Sequence, residues 1–185
     1  MTKTEPKKGS LLLAEPFMLD SNFKRSVILL CDNQEEGSVG FILNKPMKMY
    51  LPEAIPEVND FEAPLFYGGP VEADTLHFVH NLGDLVEGSI HIADDTYWGG
   101  NFEDVKSLIN QRAVGPDNFK FFLGYSGWSS GQLDEEMEEN SWIVTKSSSE
   151  YIFDNLSPNL WKKVLEDLGG KYKIISNYPE DPSLN

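Results

Sequence analysis

The chain has 185 residues and a mass of 20.9 kDa, enough for one domain that removes roughly 70% of its unfolded surface from water. A hydrophobic content of 40% with 12% aromatics excludes wholesale disorder, and a net charge of −15 disfavours direct contact with nucleic-acid backbones or anionic lipid. A single cysteine excludes an internal disulfide and fits a reducing compartment.

At the N-terminus, Lys3, Lys7 and Lys8 precede a short apolar run, Leu11 to Ala14, which Glu15 and Pro16 interrupt. That run is too short for a signal-peptide core or a membrane span, so the expected location is cytoplasmic, with no membrane contact. Residues 1–8 read as a disordered tail, 9–176 as a single domain and 177–185 as a frayed C-terminal tail.

Ser10 to Ala14 is the first expected strand, followed by a helical turn over Asn22 to Lys24 capped by Asp20. Val27 to Cys31 is apolar on both faces, the pattern of a central strand. Asn33 to Gly37 is a turn and Val39 to Leu43 its hairpin partner, a pairing that sets Cys31 near Val39 and Ser26 near Asn44. Pro46 to Pro64 carries four of the eleven prolines and predicts little regular structure beyond one turn near Leu51 to Ile55. Short strands are expected at Leu65 to Tyr67, Leu76 to His80 and Ser89 to Ile92. A helix should follow from Asn101, its N-cap, with Phe102, Val105, Leu108 and Ile109 on one face.

The stretch from Phe119 to Trp142 is the most informative. Phe121 to Leu123 reads as a short buried strand, after which Gly124 and Gly127 are expected to turn the chain. Ser129 and Gln132 have capping-box spacing, and five acids among residues 134–139 suit the first turns of a helix. Strand alternation places Phe119, Phe121, Leu123 and Tyr125 on one face, so Tyr125 should pack inward with its hydroxyl on a buried partner. Trp128, beyond the turn, is expected to cover the sheet end. Trp142 to Thr145 alternates like another strand. Ser157-Pro158 is a helix start, with Leu160, Trp161, Val164, Leu165 and Leu168 as the apolar stripe and Gly169 as the stop.

Several blocks in order resemble the YqgE/AlgH family of bacterial proteins. They are Gly9-Ser10-Leu11-Leu12 with Ala14 and Pro16, Phe23 with Arg25-Ser26-Val27-Ile28, Gly37-Ser38-Val39-Gly40 to Asn44-Lys45-Pro46, and Gly68-Gly69-Pro70-Val71. The most specific is Gly124-Tyr125-Ser126-Gly127-Trp128 with Gly131-Gln132-Leu133 and Glu136. The resemblance implies an α+β fold in which a bent, bifurcated, mostly antiparallel sheet forms a partly open barrel with helices packed outside. Members are commonly labelled transcriptional regulators, and the family has no established catalytic residues to carry over. Many relatives have histidine near position 33, where this chain has Asn33, and arginine is frequent where Lys45 stands; no role for either is carried over.

The chemistry-bearing residues divide as follows. Ser126 lies in a Gly-x-Ser-x pattern that resembles a nucleophile elbow, but the fifth position is Trp128 rather than glycine, and no histidine has a recognisable place as its base. His77 and His80, three apart, fall on opposite strand faces, which favours ordinary strand histidines over a metal site. Cys31 reads as a core residue. The acid run is a solvated helix face or a docking surface for a basic partner. The candidate ligand or partner surface comprises Arg25, Asn44, Tyr67, Gly68, Gly69, Tyr125, Ser126, Trp128 and Gln132, with Arg25 and Lys45 the charged groups closing the first hairpin. The expected function is that of a non-enzymatic regulator acting through a protein partner, with no cofactor and no metal and with direct DNA binding disfavoured. The alternative is a small-molecule-binding protein or weak hydrolase using the Gly124–Gln132 elbow.

Overall fold

Uninterrupted apolar runs dictate the centre of the molecule. In a computed structural model, which describes residues 4–157 and 159–180, β1 (Ser10–Ala14), β2 (Val27–Gln34) and β3 (Gly37–Ile42) form an antiparallel meander, with β10 (Trp142–Lys146) on its outer edge. Both faces of this meander are covered, which explains why β2 is apolar at successive positions. Leu11, Leu13, Leu29 and Phe41 on one face meet α5 (Leu160–Leu168) through Leu160, Trp161, Val164 and Leu165. Leu12, Ile28, Leu30 and Ile42 on the other face meet Trp128, Leu133 and Trp142. The indole of Trp161 also donates to the Ala14 carbonyl at 2.8 Å, tying α5 to β1.

The hairpin register holds where alternation predicts it, with Ile28 opposite Ile42 and Leu30 opposite Gly40. It then slips by one at a bulge, so Asp32 rather than Cys31 faces Val39. Asn44 closes the base of the hairpin: its side chain accepts from Val27 N–H and donates to the Arg25 carbonyl.

The organising strand is β9 (Phe119–Ser129), eleven residues long. The expected turn at Gly124 does not form; the chain runs on through it as a strand. One edge of β9 is divided between two neighbours. Its first half pairs in parallel with β5 (Pro64–Tyr67), and its second half pairs antiparallel with β3 through Ser126 to Ser129. Its other edge pairs with β6 (Val71–His80). The sheet of ten strands therefore forks at β9 and does not close. Beyond β6 lie β8 (Thr96–Trp98) and β7 (Ile90–Ala93), so β7 joins the sheet through β8 rather than against β6. The proline-rich segment holds more structure than its composition predicts: β4 (Pro46–Tyr50) pairs with β5 at the sheet margin, followed by α1 (Leu51–Ala54). Margins tolerate proline because a missing N–H there breaks no ladder.

Gly124 acts as a bulge, with φ +70°, and it changes which face the following residues occupy. Phe119 and Phe121 pack with α2 (Phe102–Asn110), while Tyr125 joins the opposite cluster with Phe41 and Phe122. The alternation expected from Phe119 to Tyr125 therefore breaks at the glycine. The helix α2 is capped as its sequence predicts, with the Asn101 side chain accepting from Glu103 N–H at 3.0 Å. The acidic helix α3 (Gln132–Glu138) has Gly131, not Ser129, at its N-cap. Gln132 does reach back to the Ser129 N–H at 3.0 Å, but Ser129 supplies no cap in return. Two short helices not foreseen from sequence, α4 (Ser149–Ile152) and α6 (Gly170–Ile175), flank α5. Helix α5 starts at Leu160 behind Asn159, two residues later than expected, and stops at Gly169; Pro158 lies outside the described residues.

At the fork, the Gly68 carbonyl accepts from Ile42 N–H and from the Ser126 hydroxyl, both at 3.0 Å, while Gly68 N–H donates to Leu123 O. A Cβ on Gly68 would lie 2.2 Å from the Gly124 carbonyl oxygen, with no flexible side chain to give way. Gly68→Ala should therefore destabilise the protein by about 3 kcal/mol or more. Chemical denaturation measures this, and an unchanged midpoint would mean that the two backbones do not meet there.

Candidate functional site

The hairpin of β2 and β3 crosses the molecule and presents different chemistry at its two ends, roughly 20 Å apart at about 3.3 Å per residue. At the tip, Asp32, Glu35 and Glu36 surround the turn, and none has an ion-pair partner among the described residues. Beside them lies a shallow, open groove of about 550 Å3, lined by Val39, Val71, Tyr125, Gly127 and Trp128. Helix α3 packs against β3 and β9, with Asp134, Glu135, Glu138 and Glu139 exposed and likewise unpaired.

At the base, a smaller pocket of about 240 Å3 is lined by Lys24, Arg25, Asn44 and Lys45 and by the start of α5. Arg25 has left-handed backbone at φ +52°. Its guanidinium lies 4.4 Å from the Trp161 ring centroid and donates to the Tyr178 carbonyl at 2.5 Å. The Lys45 ammonium donates to the carbonyls of Ser21 and Asn22. Burial pulls its pKa below the ordinary lysine range, and the Asp20 carboxylate opposes part of that. Tyr67 stands behind this site, donating to the Asn22 side chain at 3.0 Å, and burial pushes its phenol up.

The expected single surface thus divides. Arg25 and Asn44 meet at the base, with Tyr67 close by; Tyr125 and one edge of Trp128 face the tip groove. Gly68, Gly69 and Ser126 belong to neither, because all three are buried at the fork between them. The Ser126 hydroxyl is fully buried and donates to Gly68 O, so the strand offers no nucleophile elbow. Tyr125 is half-buried, its ring edge-on to His77 at 5.7 Å, and its hydroxyl has no hydrogen-bond partner among the described residues, contrary to the expected buried one.

Other reactive side chains are built into the framework. The Cys31 thiol is buried, and burial with the Asp32 carboxylate pushes it up. His77 and His80 do lie on opposite faces, against Phe41 and Phe119 respectively. His80 is fully buried; its Nδ1 accepts from Leu82 N–H, which leaves Nε2 to donate towards Gly99 O and Ser89. Burial lowers the pKa of both rings. Among the described residues no group of three or more His, Cys, Asp or Glu has the arrangement of a metal site.

Two charges built into the framework, half-buried Glu136 and buried Lys120, were not anticipated from sequence. Glu136, inside the acid run, accepts from the indoles of Trp128 at 2.8 Å and Trp142 at 2.7 Å, and from Gln132 at 2.9 Å. It clamps α3 onto the sheet, and Trp128 is a packing residue, 5% exposed. Lys120 is 1% exposed, 4.0 Å above the Phe66 ring, and donates to the Asp154 carbonyl at 2.9 Å. Burial brings its pKa down to about 7, opposed in part by the Asp154 carboxylate. The sequence did hold a signal for Lys120, since it shares a strand face with Phe122 between apolar neighbours.

These features define an α+β protein built on a forked, mostly antiparallel sheet. The chain belongs to the AlgH-like family, whose model matches residues 11–173. It is 47% identical over 177 residues to a UPF0301 protein of Chlorobium limicola, covering 96% of this chain and 95% of that one. A UPF0301 protein of Cytophaga hutchinsonii is 45% identical over 179 residues, covering 96% and 98%. Two solved structures share the fold at 23% identity. Protein DIP2367 from Corynebacterium diphtheriae superposes with a TM-score of 0.82 over 96% of this chain and 95% of its own. The AlgH protein from Pseudomonas aeruginosa does so with a TM-score of 0.72 over 97% and 98%. No helix among the described residues is long and apolar enough to cross a membrane.

Two predictions follow from the buried groups. Trp128→Ala removes a buried indole and one of the two indole donors to the Glu136 carboxylate; it should lower stability by about 3 kcal/mol. Denaturation checks this, and near-native stability would move Trp128 from packing to recognition. For Lys120, the unfolded side chain holds its proton up to pH ~10, whereas the folded one releases it near 7. Between those values the unfolded state binds more protons, so this group makes stability rise with pH, by up to about 1.4 kcal/mol per unit. Lys120→Met should abolish that rise, so wild type should gain stability relative to the variant from about pH 7 to about pH 9 in urea denaturation. Parallel pH profiles would contradict it.

Proposed function

We propose that this chain is a non-enzymatic regulatory protein of the cytoplasm that acts by holding a basic segment of a protein partner in the tip groove. The observation that carries this reading is the open groove itself, lined by Tyr125 and by Asp32 and Glu36, neither of which has an ion-pair partner among the described residues, with Glu35 exposed on the adjoining turn. A shallow open surface suits a polypeptide better than a small molecule, which needs enclosure on most sides. Unpaired acids on the rim favour a lysine- or arginine-rich partner, raising its on-rate and rejecting acidic competitors. The exposed acids of α3 extend the same field. Any effect on transcription is then indirect, because the same field opposes a phosphate backbone.

The experiment is affinity capture from lysate, washed at moderate salt, using wild type and a Glu35→Lys, Glu36→Lys variant. Both positions are exposed turn residues whose replacement leaves the core intact. The reading expects a reproducible basic partner on wild type that is weakened at least tenfold on the variant and by added salt. No such partner, or one retained equally by the variant, would overturn it.

A further inference from the structure

The pocket at the hairpin base runs against the charge of the whole molecule. In a chain of net charge −15, four cations, Lys24, Arg25, Lys45 and Lys162, line one concavity of about 240 Å3. Asn159 and Trp161 complete the wall from the start of α5. That helix has no acid in its first turn, and its N-cap Asn159 makes no side-chain cap bond, so the positive end of its dipole adds to the same potential.

Local carboxylates balance only part of this charge. Lys162 pairs with Glu166 at 3.7 Å. Lys24 reaches Glu180, the one acid lining the pocket among the described residues, at 3.9 Å, and both side chains are exposed. Arg25 and Lys45 have no carboxylate within 4.0 Å among the described residues; Asp20 is felt by Lys45 but forms no ion pair with it. Their partners are neutral backbone carbonyls. The Arg25 Nε is buried with no acceptor among the described residues, so the protein does not fully satisfy this guanidinium. The site is also held in place before any ligand arrives. Asn44 fixes the Arg25 backbone and the Trp161 ring fixes its guanidinium.

From this we infer that the pocket is an anion-binding site for a compact phosphorylated small molecule, with Glu180 as a weak internal occupant of its rim. Two uncompensated cations match the two charges of a phosphomonoester better than the single charge of a carboxylate. The volume admits a phosphate with a short substituent and excludes a nucleic-acid duplex. The planar fork of Arg25 supplies directional donors and the lysines supply field. This assignment is independent of the tip groove, which lies at the other end of the hairpin.

The test is titration calorimetry of the full chain with inorganic phosphate, and with acetate as the monoanion, at ~150 mM salt. Saturable one-to-one binding of phosphate with a Kd of about 1 mM or tighter is expected, with acetate weaker. Glu180→Gln should tighten phosphate binding about threefold by removing the internal competitor. A Lys24→Gln, Lys162→Gln double variant, altered only at the pocket rim, should weaken it roughly five- to tenfold without loss of fold. No saturable binding at ~10 mM phosphate, acetate binding as tightly, or affinity unchanged in the double variant would each overturn the assignment.

Discussion

One strand shared between the two arms of a forked sheet is the constraint on which the rest of the structure depends. β9 must pair with β6 along one edge and with both β5 and β3 along the other. Two neighbours can divide one edge only if the chain between them crosses closely at the fork. Glycine at 68 and 124 makes that approach possible, because any side chain there would occupy the space of the opposing carbonyl. The freed backbone groups are then satisfied within the fork, by Ile42 N–H, the Ser126 hydroxyl and the Leu123 carbonyl. The serine that resembles a nucleophile is thus a structural donor in a place where water cannot serve.

The fork also explains where recognition chemistry can sit. The middle of the hairpin is buried on both faces, so only its ends reach solvent. The tip carries acids on a turn beside an aromatic floor, and the base carries cations held by Asn44 and Trp161. In a protein of net charge −15, Arg25 and Lys45 are held against neutral carbonyls and an indole, with no carboxylate among the described residues close enough to pair with them. Buried Lys120 and half-buried Glu136 show the same economy. Each charge has specific partners, and each fastens an outer segment to the sheet.

Much of this fold was legible in the residues. The apolar runs of β1 and β2, the cap at Asn101 and the stop at Gly169 rest on local rules, and the structure follows them. Gly124 was misread because positive φ serves a turn and a bulge equally well. The choice between them is made by Gly68 and Gly69, more than fifty residues away. Ser129 and Gln132 have the spacing of a cap, yet only the glutamine half forms, since Ser129 is the last residue of the strand and the helix starts only behind Gly131. β4 was hidden by proline, which marks a break in a central strand but is harmless at a margin. At the candidate sites, Arg25, Asn44 and Tyr125 were identifiable as candidate surface residues, although Tyr125 was expected to pack inward and is only half-buried. Their separation into two sites was not, because it depends on which end of the hairpin each reaches.

The most direct test of the forked architecture is native-state amide hydrogen exchange along β9. A continuous shared strand predicts that amides on both sides of Gly124, from Phe121 through Trp128, are protected to a similar degree and exchange in one cooperative unit with the hairpin and β6. Slow exchange up to Leu123 followed by rapid exchange from Gly124 to Trp128 would mean a strand that ends in a turn, and it would contradict the fork on which both sites depend.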